Sequence, residues 1–260
     1  MTTLTRAMRR SVAACTLAVA AMAPLAASAA PIQLGFILDR SGSIGAGNWT
    51  TIVNGLSNAV GTLLPADGTY EVSVVTFSTT ATIDINSFLV SDAAARTTLA
   101  GLIAGIGFTG GGTNFGPAFT LMQTALTDAV GTTATNAAAS YVNFATDGVQ
   151  SDAAAGLAAR NALIAAGIDN ISVEGIGAGV DASDLQTNYC FPGPCDTTIP
   201  FNFPAQGFYV GVASADAYAA AIGNKILVVT GQVPEPTTAL LVGAALLALG
   251  ASRRRKTAAV

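Results

Sequence analysis

The stretch GFILDRSGSIG, Gly35 to Gly45, decides how this chain reads. Gly35 to Leu38 is apolar and strand-like, and it runs directly into a carboxylate, Asp39. Two hydroxyls follow at alternate positions, Ser41 and Ser43. The pattern is a buried strand that ends by presenting an acid and two small oxygen donors.

Outward from this stretch, short apolar runs alternate with helical patterns. Ile32–Leu38, Tyr70–Phe77, Tyr141–Ala145, Ile171–Gly175 and Phe208–Val212 read as strands, with Ala81–Ile85 a further short one. Between them Trp49, Ile52, Val53, Leu56, Val60 and Leu63 recur at helical spacing. Phe115, Phe119, Met122, Leu126 and Ala129 do the same, as do Tyr218, Ile222, Ile226 and Val229. These stripes read as core-facing. The alternation predicts an α/β fold, a doubly wound, mostly parallel sheet with helices on both faces. The Ala- and Thr-rich segment 131–139 reads as a loop. Leu185–Gln206, rich in Pro and Phe, reads as an insert before the last strand; it must cross from one sheet edge to the other.

The two ends read as addresses. Arg6, Arg9 and Arg10 precede an apolar run from Val12 to Leu25, and Ala27-Ser28-Ala29 fits a small-residue cleavage site. Residues 1–29 therefore read as a secretory signal peptide, with Cys15 a passenger inside it. At the other end, residues 237–252 form an uncharged, largely apolar run, followed by Arg253, Arg254, Arg255 and Lys256. The run is slightly short for a bilayer span, which needs about 20 residues. The alternative is a buried C-terminal helix, but the basic cluster matches a cytoplasmic stop signal. The tail, residues 233–260, resembles the PEP-CTERM sorting signal of Gram-negative bacteria, with Pro234-Glu235-Pro236 as its motif. That resemblance implies transient anchoring in the inner membrane, cutting by an exosortase, and release of the domain, residues 30–232, to the cell exterior or its matrix.

Charge is compatible with a domain that binds divalent cations. Residues 31–232 hold four basic side chains (Arg40, Arg96, Arg160 and Lys225) against fourteen acidic ones, a net of −10, although the whole chain is formally −4. So acidic a domain repels nucleic acid. Outside the leader, only Cys190 and Cys195 remain. In an exported protein their default state is a disulfide, and with no His in the chain a structural zinc site lacks ligands.

In an open parallel sheet, ligands sit at the carboxyl ends of the strands. Asp39 lies there, and so does Asp147, which ends YVNFATDG. Between them GFTGGGTNFG places Thr113 in a glycine-rich loop before a helix. Taken singly, each is ordinary: a serine at a helix N-cap or turn, a loop threonine, an Asp-Gly turn. Together, two carboxylates and three hydroxyls suit a hard cation and poorly suit zinc or copper. This set, DRSGS with a later GGTN and a later ATDG, resembles the metal-ion-dependent adhesion site (MIDAS) of von Willebrand factor A domains. Asp39, Ser41, Ser43, Thr113 and Asp147 match its five positions in order. The resemblance spans roughly residues 31–230. It implies a Rossmann-like six-stranded sheet of order 3-2-1-4-5-6, with one short antiparallel edge strand. It also implies Mg²⁺, with Mn²⁺ and Ca²⁺ compatible, held directly by the hydroxyls and partly through water by the acids. One position is left for a ligand carboxylate. Gly45, Ala46 and Gly47 replace the extra acids of integrin relatives, so a single ion is expected.

The expected function is a binding module for a protein or an acidic polysaccharide that supplies a carboxylate. A structural matrix component, whose ion only stabilises the fold, fits the same features. An enzyme fits poorly. Ser41 as nucleophile would need an activating base, the chain has no His, and Thr109–Asn114 lacks the Lys of a phosphate-binding loop.

Overall fold

The computed structural model describes residues 30–127 and 137–231. The six strands are β1 (Ile32–Asp39), β2 (Tyr70–Phe77), β3 (Ala81–Leu89), β4 (Ala139–Thr146), β5 (Asn170–Ile176) and β6 (Tyr209–Val212). The helices are α1 (Gly45–Leu63), α2 (Ala93–Ala104), α3 (Phe115–Thr127), α4 (Ala153–Ala165), α5 (Ala182–Asn188) and α6 (Ala215–Val229). One sheet runs β3-β2-β1-β4-β5-β6, as expected. All pairings are parallel except β2 with β3.

Alternate residues of the strands build two cores. Leu34, Phe36 and Leu38 of β1 pack with Trp49, Leu56 and Val60 of α1, Leu99 and Ile103 of α2, and Tyr218 and Ile222 of α6. Ile37 packs the other way, with Phe115, Phe119 and Met122 of α3, Leu163 of α4 and Leu185 of α5. Burying each such Leu or Ile contributes about 1.5–3 kcal/mol, which holds the sheet rigidly between its helices. Trp49, 2% exposed, also donates its indole N–H to the Ile106 carbonyl at 2.8 Å, tying α1 to the loop that leads toward Thr113.

Several sequence readings need correction. Helices α2 and α4 were not foreseen, because each buries few positions: Leu99 and Ile103 in α2, Gly156 and Leu163 in α4. Their signal was the cap. Asp92 and Asp152 accept from the backbone N–H three residues on, at 2.8 and 3.0 Å, as N-caps do. The antiparallel edge strand β3 is not short; it spans nine residues, with register shifts around Val74. Ala139 belongs to β4 rather than to a loop. The rest of the 131–139 segment is described only at 137–138, and Ala129 lies outside the described residues.

The insert starts within α5 and is therefore not wholly irregular, and it does not cross from one sheet edge to the other, because the strands it joins, β5 and β6, are neighbours. Asp181 caps that short helix. Beyond it Phe191 pairs with Ile171 and Asp196 bridges to Phe208. Asn170 donates to the Pro204 carbonyl at 3.1 Å, and the Phe203 ring meets Tyr141 at 4.8 Å. Tyr141, Asn170 and Ile171 stand near the amino ends of β4 and β5, so most of the insert lies at the end of the sheet opposite Asp39. Cys190 and Cys195 form a disulfide, with Cα atoms 5.2 Å apart. Among the described residues no helix is long and apolar enough to cross a membrane; the apolar run 237–252 lies outside them, as do residues 1–29.

Candidate functional site

Register brings the site together. Leu38 of β1 is the partner of Ala145 of β4, so the next residues, Asp39 and Thr146, end side by side. The Thr146 hydroxyl donates to Asp39 Oδ2 at 2.6 Å, and the Ser41 backbone N–H donates to Oδ1 at 2.8 Å. Ser41 Oγ lies 3.0 Å from Ser43 Oγ, and Ser43 Oγ donates to Asp147 Oδ1 at 2.7 Å. A continuous chain of hydrogen bonds thus runs from Asp39 through Ser41 and Ser43 to Asp147. Helix α1 starts at Gly45 with no side-chain cap, so neither serine serves as an N-cap.

Thr113 reaches the same point from the third loop. A methyl group placed on Gly148 would lie 3.2 Å from Thr113 Oγ1 and 3.6 Å from Ser43 Oγ, so both hydroxyls crowd the Asp147-Gly148 turn. The glycine-rich loop is pinned on both sides. Gly42 N–H donates to the Gly111 carbonyl at 2.8 Å, Gly112 N–H to Thr79 Oγ1 at 2.8 Å, and Asn114 N–H to the Ser78 carbonyl at 3.0 Å. Gly110 and Gly111 have φ of +71° and +105°, a conformation open to glycine and strained for other residues. All five predicted residues therefore converge at the carboxyl ends of β1 and β4.

Thr146 is the member that sequence reading missed. It lies within the quoted ATDG, but its role depends on which strand neighbours β1. Gly179 is another: a methyl there would lie 2.6 Å from the Asp147 carbonyl, so the loop after β5 closes over that turn.

Exposure is graded across the cluster. Asp39 and Ser41 are buried, Thr113 and Asp147 are half-buried, and Ser43 is exposed. Burial pushes the Asp39 carboxyl above the usual carboxylate range, against hydrogen bonds from Ser41 and Thr146 that favour its ionised form; the nearby Asp147 charge raises it further. Asp147 is also raised, chiefly by burial. Meanwhile the four basic side chains of the described residues are engaged elsewhere. Arg40 turns from the cluster toward Asp84 (3.8 Å) and Thr82 (2.9 Å), Arg96 binds the Leu64 carbonyl, Arg160 binds the Cys190 carbonyl, and Lys225 pairs with Glu174. Among the described residues no three His, Cys, Asp or Glu side chains gather, so this cluster is an oxygen set weighted toward hydroxyls. Two carboxylates without an internal cation, flanked by neutral hydroxyls, fit a hard divalent ion.

Residues 33–199 match the von Willebrand factor type A domain, and the chain belongs to that family. Residues 232–256 match the PEP-CTERM protein-sorting motif. Among solved structures, proximal thread matrix protein 1 from the mussel byssus is similar at TM-score 0.61 and 15% identity, covering 77% of this chain and 48% of that one. Another structure of the mussel protein has zinc in its MIDAS motif. Manganese-loaded TRAP protein of Plasmodium vivax aligns at TM-score 0.54 and 23% identity, over 75% and 73% of the two chains. The pilus adhesin SpaC of Lactobacillus rhamnosus GG aligns at TM-score 0.55 and 15% identity, over 76% and 30%. This chain therefore spans about half of the mussel protein and less of the pilus adhesin, and at these identities the likeness is one of fold. A search of curated proteins gives no match.

Proposed function

We propose that this chain is an exported, metal-dependent adhesion module rather than an enzyme. Its leader directs it across the inner membrane, and its tail holds it there until an exosortase cuts near Pro234-Glu235-Pro236. The domain then acts at the cell exterior. Asp39, Ser41, Ser43, Thr113 and Asp147 would hold one divalent cation, Mg²⁺ by preference, which would supply an open position for a carboxylate from an extracellular protein or acidic polysaccharide. The observation that carries this reading is the hydrogen-bonded chain from buried Asp39 to half-buried Asp147, with every basic side chain of the described residues committed elsewhere. Ser43 and the following turn give the ion an open side. Val149, 61% exposed just after the Asp147-Gly148 turn, adds an apolar contact for the bound partner.

In this mechanism Asp39 supplies charge from below, Thr146 keeps the Asp39 carboxylate oriented, and Ser43 and Thr113 frame the outer side. The ion supplies Lewis acidity toward the incoming carboxylate. The domain's net charge of −10 opposes an anionic ligand at long range. Salt screens that repulsion beyond about 8 Å, whereas direct metal–oxygen contact is not screened, so the local attraction wins.

Asp39→Ala tests the proposal. Calorimetric Mg²⁺ binding and EDTA-sensitive capture of matrix material should both disappear while far-UV circular dichroism stays unchanged. Capture equal to wild type would favour the second reading, a matrix component whose ion serves only stability; that reading draws support from the fold shared with a thread matrix protein. Intact mass of the extracellular form tests the sorting route, since peptides from Leu240 to Arg253 should be missing from it.

A further inference from the structure

A second polar cluster lies inside the domain, away from the candidate metal site. Asn143 of β4 and Glu174 of β5 occupy diagonal positions, because Asn143 pairs with Ser172 and Ala145 with Glu174. Both sit on the sheet face covered by α6. Lys225 of α6 reaches Glu174, with Nζ 2.7 Å from Oε1 and side-chain exposures of 6% and 2%. The Lys225 Nζ also lies 4.9 Å from the centre of the Phe208 ring. Asn143, 6% exposed, adjoins Glu174 and favours its ionised form, yet neither of its amide atoms has a hydrogen bond of normal geometry. Glu174 Oε2 is unpartnered as well. Asn143 and Lys225 line one small cavity of about 20 Å³, walled by Leu34, Tyr141, Phe203 and Ile226.

Burial of an amine, a carboxyl and a carboxamide around one small cavity keeps bulk water from competing as the nucleophile. Desolvation opposes both charges of the pair: burial pushes the Glu174 carboxyl up and the Lys225 amine down. The pair can thus redistribute its proton to give a neutral amine, the nucleophilic form. A carboxylic acid so placed can also polarise the amide carbonyl. Fixed proximity supplies most of what such a reaction lacks in solution.

We propose that Lys225 and Asn143 are joined by an intramolecular isopeptide bond, formed with Glu174 as the proton carrier. Lys225 Nζ passes a proton to Glu174 and attacks Asn143 Cγ. The Nζ–Cγ bond forms and the Cγ–Nδ2 bond breaks. Nζ gives up two of its three protons in all, Glu174 relays them to Nδ2, and ammonium leaves. The product is a neutral secondary amide, so no oxidant or cofactor is consumed. The link ties α6 to β4 across the sheet face and replaces a buried ion pair by a covalent strut.

Intact-mass measurement of the purified, denatured protein decides the matter. The expected mass is lower by one ammonia than the processed sequence with its disulfide, and digestion should yield a branched peptide carrying Asn143 and Lys225. Lys225→Arg and Asn143→Ala should each restore the full mass. Glu174→Gln, close to isosteric, should leave Lys225 and Asn143 unlinked in a folded protein, as read by mass and circular dichroism together. A full-mass wild type, with Asn143 and Lys225 recovered in separate unmodified peptides after prolonged incubation at neutral pH, would overturn the proposal and leave a buried ion pair. This readout is independent of the metal site.

Discussion

Asp39 and Glu174 are equally buried, each 2% exposed, on parallel strands of the same sheet. Burial raises both carboxyls. They differ in what faces them. Glu174 sits within its strand and meets Lys225 from a helix packed above it. Asp39 sits at its strand's end and meets only neutral donors, with a second acid, Asp147, at the far end of the hydroxyl chain. A buried carboxylate needs a compensating charge or the proton itself. Glu174 meets an amine inside the chain, as an ion pair before the proposed link forms; Asp39 lies where a charge can arrive from outside. Even Arg40, next to Asp39 in sequence, is drawn off to Asp84.

The largest expected effect lies on the internally paired side. Lys225→Met removes both the amine that faces Glu174 and the proposed link to Asn143, and should lower stability by at least about 3–5 kcal/mol, read by urea unfolding. The double variant Lys225→Met/Glu174→Gln should recover much of that loss. An undiminished midpoint in the single variant would break the comparison.

Asp39→Asn should behave in the opposite way. It removes an uncompensated charge, so metal-free stability should shift by only about 1 kcal/mol. Mg²⁺ at a hundred times its dissociation constant should stabilise wild type by about 2.7 kcal/mol, and the variant should show none of this in thermal unfolding. The pH dependence follows from the raised Asp39 and Asp147 carboxyls. A folded carboxyl with a raised value stabilises the metal-free protein below the unfolded carboxylate range, and that contribution fades as pH rises through the folded value. Mg²⁺ competes with those protons. Its stabilising effect should therefore grow from about pH 4 to pH 7, and a pH-independent metal effect would remove these acids from the site.

Smaller effects sharpen the contrast between the two ends of the sheet. Replacing both Cys190 and Cys195 by Ser should cost about 2 kcal/mol at most and leave Mg²⁺ affinity unchanged, because the insert sits largely at the amino ends of β4 and β5. Thiol labelling of the unreduced, unfolded protein should find neither cysteine. Thr146→Val should keep the fold and weaken Mg²⁺ binding by about tenfold, since it frees the Asp39 carboxylate from its orienting hydroxyl.

Much of this was legible in the chain itself. Asp39, Ser41 and Ser43 are local: three residues at fixed spacing behind an apolar strand. Thr113 and Asp147 carry similar local marks, a glycine-rich loop and a strand-ending Asp-Gly. Alternating strands and helices determined the fold class, because period and length are properties of a segment. Helices α2 and α4 were hidden because alanine and threonine leave little apolar stripe to read, and only their Asp caps spoke for them.

Tertiary structure alone decided the rest. Which strand lies beside β1 set Thr146 against Asp39. The packing of α6 against β5 brought Lys225 to Glu174 and onto one cavity with Asn143, residues scattered among unremarkable apolar runs. The path of the insert, from the end of β5 back to the start of β6, placed its disulfide away from the candidate site. The physical reason is range. Hydrogen-bonding period and side-chain pattern act over a few residues and are written along the chain. Compensation of a buried charge depends on whichever group arrives across the sheet, and that is settled by register and packing between distant segments.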